Sequence, residues 1–174
     1  MLTEPRFLSN DEFAFVVRHT PLVSFDIIIR DAGGNVLVGL RTNEPAQGMY
    51  FVPGGIVRKN ETLANAFARI LEAEIGLKAC LSEAKFIGVY EHLYETNTQG
   101  EHGYGTHYIV LAHELNLVER PQIVSDAQHV EFRWMSPFEI ASSPDVHPNT
   151  QAYFHNVGAY RATSAYGRQV IIAP

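Results

Sequence analysis

Apolar positions in this chain change period several times, and each change marks an element. Ser9 and Glu12 stand three apart just before Phe13, Val16 and Val17, the pattern of a capping box opening a short helix. Pro21 stops that helix, because it has no N–H for the next turn. Leu22–Arg30 is rich in β-branched and apolar residues and predicts a strand. Residues 31–35, with Gly33 and Gly34, predict a turn, and Val36–Arg41 returns as a second strand. Residues 42–55 contain proline and glycine and read as a loop. The clearest helix covers 62–75, and Gly76 stands where a C-cap glycine belongs. Residues 86–95 and 106–115 read as paired strands joined by a Gly-rich connection, and 129–134 as a short alternating strand. Ser136 and Glu139 form another capping box, and 149–155 predicts a last helix. No pattern is clear after Gly158. Mixed strands with helices around them predict an α/β or α+β domain, a mixed sheet layered between helices.

Composition narrows the function. The chain has 174 residues, the size of one domain, and 46% of them are hydrophobic, enough for a real core. A net charge of -6 disfavours a nucleic-acid surface, which needs a concentrated basic patch. It leaves room for a nucleotide, since a few arginines and a metal ion can serve one diphosphate. Cys80 is the one cysteine, so no internal disulfide forms and a reducing cytoplasm is expected. No membrane span or signal segment is expected near the N-terminus.

One acid sits in an unexpected place. Wound at about 100° per residue, the 62–75 helix puts Leu63, Ala66, Phe67, Ile70 and Leu71 on one apolar stripe. Glu74 falls inside that stripe. A carboxylate there lies beside apolar groups and at the negative end of the helix dipole, and a bound cation would relieve both. Taken alone, a helix-terminal acid is more often solvated.

The segment from Gly55 onward changes those odds. Gly55, Glu61, Arg69, Leu71, Glu74, Gly76 and Leu77 follow the spacing Gly-x5-Glu-x7-Arg-Glu-U-x-Glu-Glu-x-Gly-U, where U is bulky and aliphatic. This resembles a Nudix box with two departures: Ile70 and Ala73 replace acids. The same loss marks the GDP-mannose mannosyl hydrolases, a Nudix branch, which the chain also resembles elsewhere. The matching places include Thr20-Pro-Leu-Val-Ser24, Arg41-Thr-Asn43, Pro45-Ala-Gln-Gly48, Phe51-Val-Pro-Gly-Gly55, Gly88-Val89, Thr106-His-Tyr108, Arg133-Trp134, His147 and Ala152-Tyr-Phe154.

The resemblance implies a Nudix fold over residues 1–174 and one Mg²⁺ per subunit, with Mn²⁺ as an alternative. It gives the metal ligands as the Gly54 carbonyl, Glu74 and the Gln128 side chain, all hard oxygen donors. His129 matches the general base, a group that is neutral near pH 7 and able to take a proton from water. Arg41 matches a diphosphate-binding arginine, whose planar fork suits phosphate oxygens. Asp26 matches an acid of the sugar or catalytic network; alone, it reads equally as a buried structural aspartate. Tyr108 and His92 match residues near the diphosphate, and Tyr94 belongs to the same substrate-binding set. On strand alternation, Phe86, Tyr90, His92 and Tyr94 share one face. Phe7 and Phe13 match a region stacking near guanine, although core packing is the safer reading for Phe13. Ile56 stands where better-known members carry a diphosphate arginine; Arg58, two residues on, would keep the same face of an extended segment. The implied reaction is hydrolysis of GDP-mannose, or of GDP-glucose, by water attack at the anomeric carbon, in a homodimer. The alternatives are a Nudix diphosphatase that cleaves at phosphorus and a catalytically weak nucleotide-binding module.

Overall fold

The computed structural model describes residues 7–123 and 129–155. Helix α1 (Asn10–His19) begins with the expected capping box: Ser9 Oγ accepts from Glu12 N, and the Glu12 carboxylate accepts from Ser9 N. Strand β1 (Leu22–Arg30) turns back at 31–35 into β2 (Val36–Arg41). The region expected to be a loop carries two short strands, β3 (Tyr50–Phe51) and β4 (Gly54–Ile56). Two or three extended residues are too few to show a period of two, so alternation along the chain does not reveal them.

Helix α2 (Leu63–Ile75) is capped by the Thr62 side chain at one end and by left-handed Gly76 at the other, at φ 70°. Its stripe is buried as expected, except that Leu63, on the first turn, is 46% exposed. Strands β5 (Lys85–Tyr94) and β6 (Thr106–Asn116) pair antiparallel, and β7 (His129–Met135) pairs β2 antiparallel. Helix α3 (Pro137–Ser142) follows its Ser136–Glu139 capping box. The last helix, α4 (Pro148–Gln151), is shorter than the expected 149–155. His147 caps it through Nδ1, which accepts from Asn149 N, and the chain leaves the helix after Gln151 to carry Tyr153 and Phe154 into the core.

The strands form one mixed sheet in the order β3-β2-β1-β6-β5, with β4 on β1 and β7 on β2. Strand β1 is its centre. It runs parallel to β6 along all nine residues, from Leu22–Tyr108 to Arg30–Asn116. Its other edge is shared. Arg30 pairs with Val36 of β2, while Ser24, Phe25 and Asp26 pair with Ile56, Gly55 and Gly54 of β4. The alternation of β1 then divides the core. Phe25, Ile27 and Ile29 pack against α2 through Phe67, Ile70 and Leu71. Ile28, on the opposite face, joins Val36, Val38, Ile140 and Val146 under α3 and α4. Each face buries several large side chains at roughly 1.5–3 kcal/mol apiece, so the sheet is held from both sides.

One expectation about β5 fails. A register shift between Phe86 and Gly88 breaks the alternation. Phe86 packs on His113, the imidazole that also touches Phe25 and Phe67. Tyr90 instead lies with the opposite core, edge-on to Tyr153. A bulge adds one residue to one strand and so reverses the side from which the earlier side chains project.

Candidate active site

β1 and β2 pair at only one register position and part beyond it, and β4 enters between them. Beside this split lies a cavity of about 220 Å³. Strand β1 contributes Ser24 and Asp26, the end of β2 contributes Arg41, and β4 contributes Gly54, Gly55 and Ile56. From α2 comes Glu74. Strands β5 and β6 supply His92, Tyr94 and Tyr108, and α1 supplies Phe13.

Two glycines make this junction close. A Cβ on Gly54 would lie 2.5 Å from the Phe25 carbonyl and 2.9 Å from Asp26 Oδ1. Any side chain there would force β4 off β1. A Cβ on Gly55 would meet Ile70 at 3.1 Å, so this glycine lets α2 lie tight on β4. Ile70, at a position where the box expects an acid, is core at 2% exposure, and Ala73, at the other, is exposed.

The two glutamates of the motif have separate environments. Glu61 grips Arg69 with both oxygens, at 2.6 and 2.7 Å, and also accepts from Arg58 N at 3.0 Å. Arg69 donates onward to the Ile56 carbonyl at 2.9 Å. These bonds hold the Glu61 carboxyl below its ordinary range, the bond from Arg69 foremost. They clamp the connection between β4 and α2. Glu74 is 5% exposed and lines the cavity at the C-terminal end of α2.

Asp26, half-buried on β1, is the second acid of the wall. Loss of water raises its pKa to about 6, against the opposing pull of a bond from Tyr153 and of nearby Arg41. Tyr153 donates to its Oδ2 at 2.6 Å. His92 is driven down to about 3, and His147 to about 4, chiefly by burial. Second in order, His147 depresses His92 and Arg41 depresses His147. Arg41 lies over the Phe51 ring at 5.3 Å, and His147 stacks on that ring at 4.5 Å. Tyr94 and Tyr108 meet edge-on at 5.9 Å, and burial raises both phenols. The wall therefore joins a guanidinium cation, two carboxyl groups and one neutral imidazole with hydroxyl donors. That set suits a polar ligand bearing phosphate and hydroxyl groups.

Of the residues expected from sequence, Asp26, Arg41, Gly54, Glu74, His92, Tyr94, Tyr108 and Phe13 share this cavity. Arg58 and Phe7 are not on its wall. The Arg58 guanidinium lies 4.1 Å from the centroid of the Phe7 ring, which is itself 78% exposed. The backbone of His129 pairs opposite Arg41 in the β2–β7 register. Gln128 lies outside the described residues. Sequence reasoning gave no role to Ser24, Thr98 or Tyr153. Ser24, His147 and Tyr153 lie within the matching segments, which was the available signal. Thr98 sits in a loop built on buried Asn97, whose Nδ2 donates to the Glu101 and Tyr104 carbonyls.

For a divalent cation, the donors present are the Glu74 carboxylate and the backbone carbonyl of Gly54. Among the described residues, no group of three or more His, Cys, Asp or Glu is placed to hold a metal ion. A buried carboxylate at the negative end of a helix dipole fits one hard cation that draws most of its shell from water and ligand oxygen.

The fold and this site define a Nudix protein. The chain belongs to the Nudix family: the NUDIX domain model matches residues 20–156. It is a Nudix hydrolase. Its similarity to the low-salt glycan biosynthesis protein Agl8 of Haloferax volcanii is 37% identity over 147 residues, covering 84% of this chain and 88% of that one. Solved structures share the fold. The MutT protein of Methanosarcina mazei superposes with a TM-score of 0.63 at 19% identity, over 78% of this chain and 92% of that one. A MutT NUDIX hydrolase of Burkholderia pseudomallei gives 0.64 at 21%, over 80% and 100%. The E. coli dihydroneopterin triphosphate pyrophosphohydrolase gives 0.61 at 17%, over 76% and 91%. No helix among the described residues is long and apolar enough to cross a membrane.

Proposed function

We propose that this Nudix hydrolase cleaves GDP-mannose, with GDP-glucose as a second substrate, to GDP and the free sugar. The observation that carries the reading is the composition of the cavity wall. It has one carboxylate from α2, with Ile70 buried where a second acid would stand, and across from it Asp26, Arg41, His92 and Tyr108. A box that keeps Glu74 alone of its clustered acids, with Glu61 tied up by Arg69, is poorly equipped to drive water onto phosphorus. A wall rich in hydroxyl groups, with Arg41 and one imidazole beside them, suits a sugar and its leaving diphosphate. The relationship to a protein named for glycan biosynthesis supports an activated sugar as substrate.

In this reading Arg41 binds the diphosphate and neutralises charge as the sugar–oxygen bond breaks. His129 takes the proton from the attacking water, and its backbone lies across from Arg41. Asp26 holds sugar hydroxyls and orients the anomeric carbon, and Tyr108 contacts the diphosphate leaving group. His92 and Tyr94 close the wall around the diphosphate. Phe13 and Phe7 stack near the guanine, and Arg58, over Phe7, extends the diphosphate contact from outside the cavity. Glu74, Gly54 and Gln128 hold one Mg²⁺, with Mn²⁺ as an alternative; when bound, the ion withdraws charge from the leaving diphosphate. The protein works in the cytoplasm as a homodimer.

The test is a panel of nucleotide sugars incubated with Mg²⁺, with products separated by chromatography and the first-formed sugar read by NMR. GDP with β-mannose is the expected outcome, because one-step displacement inverts the α-linked donor. GMP with mannose 1-phosphate would establish attack at phosphorus instead. GDP binding without turnover of any nucleotide sugar would make the chain a binding module.

A further inference from the structure

Tyr153 stands behind the cavity wall, at the meeting point of two residues that line it. Its hydroxyl donates to Asp26 Oδ2 at 2.6 Å and lies 3.4 Å from His92 Nε2. Its ring packs edge-on against Tyr90 at 4.7 Å and against Phe154 at 6.5 Å, so the hydroxyl has a fixed origin in the core. The turn that ends α4 delivers it.

Proton counting makes this junction specific. A phenol carries one proton and can accept with its oxygen lone pairs. When that proton goes to Asp26, the phenol oxygen can only accept from His92. The imidazole must then carry its proton on Nε2 and leave Nδ1 bare. In the opposite arrangement a protonated Asp26 would donate to the phenol, the phenol would donate to Nε2, and the proton of His92 would sit on Nδ1. The Arg41 cation on the same wall favours an ionised Asp26, which can only accept, and so the first arrangement.

We infer that Tyr153 is a positioning residue that orients the Asp26 carboxylate and fixes His92 as the Nε2–H tautomer. Burial keeps the phenol protonated and the imidazole neutral, so neither partner leaves the chain of bonds by titrating near pH 7. The catalytic consequence rests on the proposed sugar-nucleotide reading, whereas the tautomer does not.

The experiment uses the full chain with ¹⁵N-labelled histidine, read by long-range ¹H–¹⁵N spectra, alongside steady-state kinetics on GDP-mannose with Mg²⁺. Wild type should show His92 as Nε2–H. Tyr153→Phe should give a mixed or Nδ1–H imidazole and lower kcat by roughly tenfold to a hundredfold, with KM changing less. Tyr90→Phe, which removes a hydroxyl from the packed neighbour, should leave both at wild-type values. Nδ1–H in wild type would overturn the inference, as would a Tyr153→Phe protein with unchanged tautomer and kcat. If Tyr153→Phe does not fold, the wild-type spectrum still decides. If wild type fails to turn over GDP-mannose, the sugar-nucleotide reading falls, and the tautomer alone decides the role of Tyr153.

Discussion

Asp26 and Asp31 lie five residues apart, one within β1 and the other just past its end, and their environments push them in opposite directions. Asp31 is wrapped by donors. Asn35 N reaches Oδ1 at 2.8 Å, and Arg120 approaches Oδ2 at 2.6 Å through one of its terminal nitrogens. These contacts, led by the Asn35 side chain, take its carboxyl down to about 2. Asp26 accepts from Tyr153 and lies in the cavity wall, where burial takes it up to about 6. An acid whose charge is fully met closes a turn. An acid whose charge is only partly met is costly to the fold and available to a ligand.

The largest effect expected from this contrast is on turnover. Asp26→Asn should lower kcat by about a hundredfold or more while leaving Tm at pH 7.5 unchanged or higher. The sign follows from linkage. A carboxyl with a raised folded pKa contributes stability below its unfolded value of 3.8, and loses it as pH rises through about 6. Above that window the ionised group burdens the fold, and Asn removes the burden. A fall of several degrees in Tm would place Asp26 with Asp31 as a structural acid.

A smaller effect is expected at the other end. Asp31→Ala should lower Tm by several degrees and leave kcat within about twofold, because it opens a turn remote from the cavity. Loss of turnover without loss of Tm would reverse the contrast.

The smallest effect is a slope. His92 and His147 have folded values near 3 and 4 against 6.5 unfolded, so they take up protons in the unfolded chain first. Stability falls as pH drops below 6.5, by about 1.4 kcal/mol per pH unit for each fully engaged histidine. Between pH 6 and 5, Asp26 takes up a proton in the folded state and offsets one of them. Denaturant melts of Asp26→Asn should therefore steepen with acidity relative to wild type, and parallel slopes would show that Asp26 does not titrate in that window.

Much of this frame was legible from residue patterns. Thr62 and Gly76 bracket α2 because caps act locally, and the β1 turn announces itself through Gly33, Gly34 and Asn35. Glu74 was visible as an acid inside an apolar stripe. The rest depended on contacts distant in sequence. β3 and β4 exist because β2 and β1 offer them edges, and the bulge after Phe86 arises from pairing with β6. Tyr153 carries no sequence signal of its partner, since nothing near it in the chain identifies Asp26. Arg58 looked equivalent to a residue at position 56 on extended geometry, but β4 ends at Ile56 and Arg58 turns to Phe7.

The bond between Tyr153 and Asp26 spans 127 positions along the chain. Closing so long a loop costs more entropy than forming the β1–β2 turn, and nothing local rewards it until the sheet exists. The pocket wall therefore joins chain segments that the local β1–β2 turn cannot bring together by itself. Through this bond the segment that ends α4 is anchored to the central strand, and buried Asn149 and Thr150 fasten the same segment beside it.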